Sequence, residues 1–116
     1  MHELSIAAAL LVQVEELAKA NGLIRVGVVR VSVGVRRQVV PESLAMAFEA
    51  VSLGTKAEGA VLEQSEVQMQ ARCRACAADY APSLRDFRCP VCGQAAAEII
   101  AGNDITIASL TGDTPD

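Results

Sequence analysis

Two Cys-x-x-Cys pairs, Cys73/Cys76 and Cys89/Cys92, joined by the twelve-residue stretch Ala77 to Arg88, constrain this chain more than any other feature. Each pair can form a tight knuckle that turns two thiolates toward one ion, and two knuckles complete a closed tetrahedral S4 cage. The four cysteines are all that the 116 residues contain, so none is left over. The second knuckle, Cys89-Pro90-Val91-Cys92-Gly93, has the turn chemistry such a loop needs: Pro90 fixes φ, and Gly93 can take a positive φ just past the ligand. A closed cage has no open position for water or substrate, so the expectation is a structural zinc site held by Cys73, Cys76, Cys89 and Cys92. A segment of about 25 residues buries too little apolar surface to fold alone, and metal binding supplies the missing free energy.

Other uses of these cysteines fit less well. Two disulfides call for an oxidising compartment, and Met1-His2-Glu3-Leu4-Ser5 has neither the basic start nor the cleavage site of a signal peptide. A redox Cys-x-x-Cys is expected singly, opening a helix in a βαβ unit. A rubredoxin-like iron site uses similar knuckles, but only Tyr80 and Phe87 offer aromatic cover nearby.

The length predicts one compact unit with a small appended module. The hydrophobic 52% is mostly aliphatic, without tryptophan, and the longest apolar stretch, Ile6 to Val12, is far below the ~20 residues of a membrane span. These features predict a cytoplasmic protein with no membrane partner. A net charge of −4 argues against nucleic acid as the main partner. A local basic cluster, Arg25, Arg30, Arg36 and Arg37, reads as a solvated strand face and loop, with a docking patch for an acidic partner as the alternative. Arg72, Arg74, Arg85 and Arg88 surround the cage and are expected to offset the 2− charge of a zinc-tetrathiolate.

From Glu3 to Ala20 the apolar residues Leu4, Ala7, Ala8, Leu11, Val14, Leu17 and Ala18 recur at helical spacing, and Asn21-Gly22 is a suitable stop. Ile24 to Gly34 reads as a valine-rich strand whose alternation changes phase at Val28-Val29. Pro41 opens a second helix with a Leu44, Ala47, Phe48, Val51 stripe, ended by Gly54. Val61 to Ala71 reads as a second strand running into the first knuckle, and Asp104 to Leu110 as a short third strand after an alanine-rich stretch. Gly112 to Asp116 reads as a frayed tail. The fold class is therefore α+β: a small three-stranded sheet with two helices, residues 1–70 and 96–116, plus an inserted four-cysteine zinc-ribbon-like module, residues 71–95.

His2 is the only histidine. As a lone terminal residue it can be an ordinary solvated side chain. Its position also lets the Met1 amine, the His2 backbone nitrogen and His2 Nδ1 close consecutive chelate rings on one metal, with Glu3 adding a donor through its backbone nitrogen or carboxylate. Planar nitrogen donors suit Ni(II) or Cu(II).

Met1-His2-Glu3-Leu4-Ser5, Val40-Pro41-Glu42-Ser43-Leu44 with Ala47-Phe48, the paired knuckles, and Gly102-Asn103-Asp104-Ile105-Thr106-Ile107 with Ser109-Leu110 together resemble the HypA/HybF family over nearly the whole chain. These are nickel metallochaperones of [NiFe]-hydrogenase maturation. The resemblance implies a non-enzymatic protein that binds Ni(II) through His2, with Met1 and Glu3 as neighbours, and zinc through the four cysteines. It implies delivery of nickel to the hydrogenase large subunit precursor with a HypB-type GTPase, and urease maturation proteins as further partners of some members. Some members carry another histidine near the zinc module; this chain does not.

Two other functions compete. A zinc-ribbon module binding nucleic acid or a transcription complex would use the four cage arginines, but 3% aromatics leaves few stacking platforms. An enzyme finds no support: no Ser/His/Asp set, no phosphate loop and no open metal site. The chain is expected as a monomer or weak homodimer, since the module hangs on two linkers and can exchange between copies.

Overall fold

A computed structural model describes residues 2–115. The first helix, α1 (His2–Ala20), ends in a left-handed turn at Gly22, φ +68°. The Leu23 N–H reaches Ala18 O at 2.9 Å and the Gly22 N–H reaches Lys19 O at 3.3 Å, which together satisfy the last carbonyls. Its buried stripe is Ala7, Leu10, Leu11, Val14 and Ala18. Leu4 and Leu17, 45% and 38% exposed, and the exposed Ala8 lie outside that stripe, while Leu10, which the spacing leaves out, is in the core.

Strand β1 (Arg25–Gly34) buries Val26, then Val29, Val31 and Val33, so its alternation does change phase between Gly27 and Val29. A 3-10 turn, Val35–Arg37, follows and leads into α2 (Pro41–Ser52), with Pro41 at its start. Leu44, Ala47 and Phe48 are its buried face, packed against α1. Burial of Phe48 and Leu44 contributes roughly 1.5–3 kcal/mol each.

The stretch Val61 to Ala71 is two strands and not one. β2 (Val61–Val67) belongs with β1 and β6 (Ile105–Asp113) in a sheet of order β2-β1-β6. β3 (Gln70–Cys73) sits centrally in a second sheet, β4-β3-β5, between β4 (Asp79–Tyr80) and β5 (Ala97–Ala101). β5 occupies the alanine-rich stretch, whose composition signals no strand; it pairs antiparallel with β3, Arg72 opposite Glu98 and Cys73 opposite Ala97. The last strand also outlasts its sequence signal. The Ile24 N–H donates to Asp113 O at 2.8 Å, which holds Gly112 and Asp113 in the sheet as a continuation of β6. Gly112 is required there, because a Cβ would lie 2.1 Å from Arg25 O.

The chain divides into two compact units. One comprises Met1–Val31, Val39–Ser65 and Thr106–Asp116; the other comprises Ser32–Gln38 and Glu66–Ile105. The second is larger than the cysteine spacing delimits, since it takes in residues 66–70, 96–105 and the turn at 32–38. No helix among the described residues is long and apolar enough to cross a membrane.

Candidate metal centre

The two knuckles are copies of one local structure. In the first, the Ala77 N–H donates to Cys73 O at 2.7 Å and the Cys73 N–H to Ala78 O at 2.9 Å. In the second, the Gly93 N–H donates to Cys89 O at 2.9 Å and the Cys89 N–H to Gln94 O at 3.0 Å. The sulfur acceptors repeat as well. Cys73 Sγ accepts from the backbone of Cys76 and Ala75, and Cys89 Sγ from that of Cys92 and Val91. Cys76 and Cys92 accept from Ala78 and Gln94.

These knuckles bring all four Sγ atoms within 4.8 Å of one another. Across the knuckles, Cys73 and Cys92 sulfurs are 3.5 Å apart and Cys76 and Cys89 sulfurs 3.6 Å. A tetrahedral ion with metal–sulfur bonds of ~2.3 Å sets its ligand sulfurs roughly 3.8 Å apart, so four thiolates at this spacing can hold a tetrahedral ion such as Zn(II). Cys73 and Cys89 are buried, while Cys76 and Cys92 lie toward solvent. The four thiols are free, with no disulfide among them.

Protonation follows the hydrogen bonds. The Cys92 and Val91 amides lower Cys89 to about 7, and the Cys76 and Ala75 amides likewise lower Cys73. At Cys76 the Ala78 amide favours the thiolate, but burial and the three neighbouring sulfurs outweigh it and push the thiol up to about 12. Four sulfurs this close cannot all ionise without a cation between them.

One position distinguishes the knuckles. The residue after the second cysteine is left-handed in both, Ala77 at φ +65° and Gly93 at φ +77°. Glycine adopts this conformation freely and alanine does not. An added Cβ at Gly93 meets nothing within 4 Å, so Gly93→Ala changes backbone preference alone. Gly93→Ala is expected to weaken metal affinity about fivefold, roughly 1 kcal/mol, and Ala77→Gly to strengthen it by a similar or smaller factor. Competition with a chromophoric chelator reads both changes, and equal affinities in all three proteins would show that the turns carry no strain.

Around the quartet, Tyr80 hydroxyl donates to Phe87 O and closes the intervening loop. The Arg36 guanidinium lies 5.5 Å from the Phe87 ring centroid and donates to Asn103 Oδ1 at 3.3 Å, which ties the 35–37 turn to this unit. Three of the four nearby arginines are held by carboxylates. Arg72 grips Asp79 at 2.8 and 3.3 Å, Arg88 grips Asp86 at 3.1 Å through two nitrogens, and Arg74 lies 3.5 Å from Glu98. The Arg72 and Arg88 hydrogen bonds hold Asp79 and Asp86 below the usual carboxylate range. Arg85 forms no ion pair among the described residues.

The amino-terminal candidates lie in the other unit. Met1 is outside the described residues. The His2 side chain is 54% exposed, with Nδ1 3.4 Å from Glu3 Oε1. Glu3 is better covered, at 13%, and its other oxygen accepts the Val40 N–H at 3.4 Å ahead of α2. Val40 supplies no side-chain cap of its own. No local pattern signals this tether, since it joins residues 37 apart.

Comparison with known proteins agrees with this architecture. The family described as "Hydrogenase/urease nickel incorporation, metallochaperone, hypA" matches residues 1–112. A hydrogenase maturation factor HypA of Roseiflexus sp. (strain RS-1) is 44% identical over 119 residues, covering 100% of this chain and 97% of its own. The HypA of Streptomyces avermitilis is 39% identical over 112 residues, covering 95% and 86%. Among solved structures, the Ni metallochaperone HypA from Helicobacter pylori superposes with a TM-score of 0.77 at 24% identity, over 97% of both chains, a likeness of fold. Another HypA solution structure gives 0.73 at 27% identity, over 95% of this chain and 94% of that one. With its four-sulfur cluster, its two helices and a match along almost its full length, the chain belongs to the HypA family of nickel metallochaperones for hydrogenase and urease maturation.

Proposed function

We propose that this protein carries Ni(II) at its amino terminus and hands it to the [NiFe]-hydrogenase large subunit precursor together with a HypB-type GTPase, while a zinc ion held by Cys73, Cys76, Cys89 and Cys92 folds the second unit. The observation that carries this reading is the placement of His2. It is the chain's only histidine, it opens α1, and its imidazole is half exposed. The first N–H groups of a helix have no intrahelical acceptor, so the His2 and Glu3 backbone nitrogens are free to lose protons to a metal. With the Met1 amine and His2 Nδ1 they supply four nitrogens at small-ring spacing, the planar set that suits Ni(II). The Glu3 carboxylate then acts beside the ion and not on it, because one oxygen faces His2 Nδ1 and the other accepts from Val40. An exposed terminal site lets a recipient's ligands displace the donor's in sequence. Nickel affinity falls as pH drops, since the imidazole and the amides must give up protons to bind.

The test is a Ni(II) titration of zinc-loaded protein with native Met1, followed by absorption and calorimetry, beside His2→Ala. One nickel per chain with a planar spectrum is expected, weakened at least ~100-fold in the variant while zinc stays bound. Equal nickel binding by both proteins would overturn the terminal site. The nucleic-acid reading has less support: Arg72, Arg74 and Arg88 are engaged by Asp79, Glu98 and Asp86, which leaves Arg85 as the one cage arginine without an ion pair among the described residues.

A further inference from the structure

We propose that the outer edge of β5 is a docking cleft for an extended, carboxylate-bearing peptide segment of another protein. The sheet β4-β3-β5 has two edges, and they differ. β4 is two residues long, its Asp79 is gripped by Arg72, and Pro82 lies just beyond it, so that edge offers little to pair with. β5 runs for five residues without a proline. Successive residues of an antiparallel strand turn their N–H and C=O alternately to one side and to the other. The Cys73 N–H donates to Ala78 O on the β4 side, the Arg74 N–H donates to Ala96 O on the β5 side, and Arg72 stands opposite Glu98. Ala96 and Glu98 therefore turn their backbone groups toward β3. Ala97 and Ile99 turn theirs to the outer edge, where neither has a backbone partner among the described residues.

Those two half-buried residues line an open cleft of about 440 Å³, together with Phe87, Arg36, Arg74 and Glu98. Its two cations are unequal. Arg74 lies 3.5 Å from Glu98 and is balanced by it. Arg36 has no carboxylate partner among the described residues, and its side chain donates to the neutral Asn103 Oδ1 at 3.3 Å. It is nonetheless held in place. The guanidinium lies 5.5 Å from the Phe87 ring centroid, the Arg36 N–H donates to Gly102 O at 3.0 Å, and the Gln38 N–H closes the turn on Val35 O at 3.1 Å. A cation already positioned, with its charge unmet and N–H donors unused, is prepared for a carboxylate, because little ordering remains to oppose binding. Arg37, exposed and also without an ion pair among the described residues, adds positive charge to the same turn.

Edge and cation select the occupant together. Unpaired backbone groups on alternate residues, Ala97 and Ile99, match an extended chain, whose own N–H and C=O groups repeat at the same spacing. Ala97, Ile99 and Phe87 give a shallow apolar footing to one side chain of that segment, and Arg36 selects an Asp or Glu beside it. A small free anion would satisfy Arg36 and leave the β5 backbone bare. A cationic segment would be repelled by Arg36 and Arg37. A contact one strand wide is small beside the ~1,200–2,000 Å² of stable complexes, so the segment binds weakly and leaves readily.

The test titrates an acetylated, amidated peptide of alternating valine and glutamate into the zinc-loaded chain, read by amide NMR shifts and hydrogen exchange. Saturable shifts and slower exchange are expected at the Ala97 and Ile99 amides. Affinity should be at least ~10-fold weaker in Arg36→Gln, which removes the charge, and unchanged in Arg25→Gln, which lies in the other unit. Metal content and circular dichroism verify that both variants fold. Of two peptides N-methylated at alternate residues, one in each phase, a single one should lose binding, since an added strand turns only alternate N–H groups to β5. No saturable binding at millimolar peptide would overturn the proposal. So would equal affinity in Arg36→Gln, equal affinity for a valine–lysine peptide, or binding kept by both methylated forms. Glutarate displacing the peptide at equal concentration would show a small-anion site instead and overturn it as well.

Discussion

Cys73→Ala is expected to abolish binding of the cage metal and to unfold the unit formed by Ser32–Gln38 and Glu66–Ile105, while α1 and α2 persist. The reason is the poverty of that unit's core. Its buried hydrophobic residues are Val33, Met69, Ala71, Cys73 and Cys89, and two of these five belong to the four-sulfur cluster. Burial of Val33 and Met69 contributes only roughly 1.5–3 kcal/mol each, against about 1–2 kcal/mol of backbone entropy for every residue ordered. A structural zinc ion in the proposed cage would supply on the order of 10–16 kcal/mol, enough to reverse that balance. Removing Cys73 also strips the most buried sulfur of the cluster, at 0% exposure, from the strand that pairs with both β4 and β5. Hydrogen exchange should show β3, β4 and β5 losing protection as one block, with metal content falling from one to zero per chain. Retained protection in β3 without metal would show that the unit folds on its own contacts. EDTA treatment of the wild type should reproduce the pattern.

Gly102→Ala is expected to cost about 3–4 kcal/mol in unfolding free energy, several times the cost of Gly93→Ala. Gly102 has φ +86°, which already disfavours alanine by roughly 1 kcal/mol. Steric contact costs more. A Cβ at Gly102 would lie 2.6 Å from Met69 Cα and 2.8 Å from Gln68 O, both backbone atoms that cannot swing aside. From the opposite direction, a Cβ at Gly34 would lie 2.4 Å from Gly102 C and O. Three chain segments thus meet at bare backbone, fastened by Gly34 N–H to Asp104 O at 2.8 Å and Arg36 N–H to Gly102 O at 3.0 Å. Denaturant unfolding of the two glycine variants side by side reads the difference. If Gly102→Ala costs no more than Gly93→Ala, the segments have room to part and close approach is not what fixes this junction.

The sequence alone determined what depends on near neighbours. The cysteine spacing specified the four-sulfur cluster, because each knuckle is closed by hydrogen bonds spanning four or five residues, from Ala77 to Cys73 and from Cys89 to Gln94. Pro41 and the Leu44, Ala47, Phe48 stripe specified α2, and the change of phase at Val28-Val29 in β1 is readable from its valines. Only the tertiary structure decided what depends on distant partners. The alanine-rich segment became β5 because β3 offers it a ladder, which outweighs its weak strand propensity. Residues 68 and 69 break the apparent strand from Val61 to Ala71 because Gly102 packs against them and its two halves join different sheets. Arg36 is exposed, as its place in a solvated basic surface predicts, but that reading holds no sign of its contact with Phe87, 51 residues later in the chain. Spacing records periodicity and turn chemistry, whereas the choice of partner across a long loop is set by burial and backbone fit that no local pattern contains.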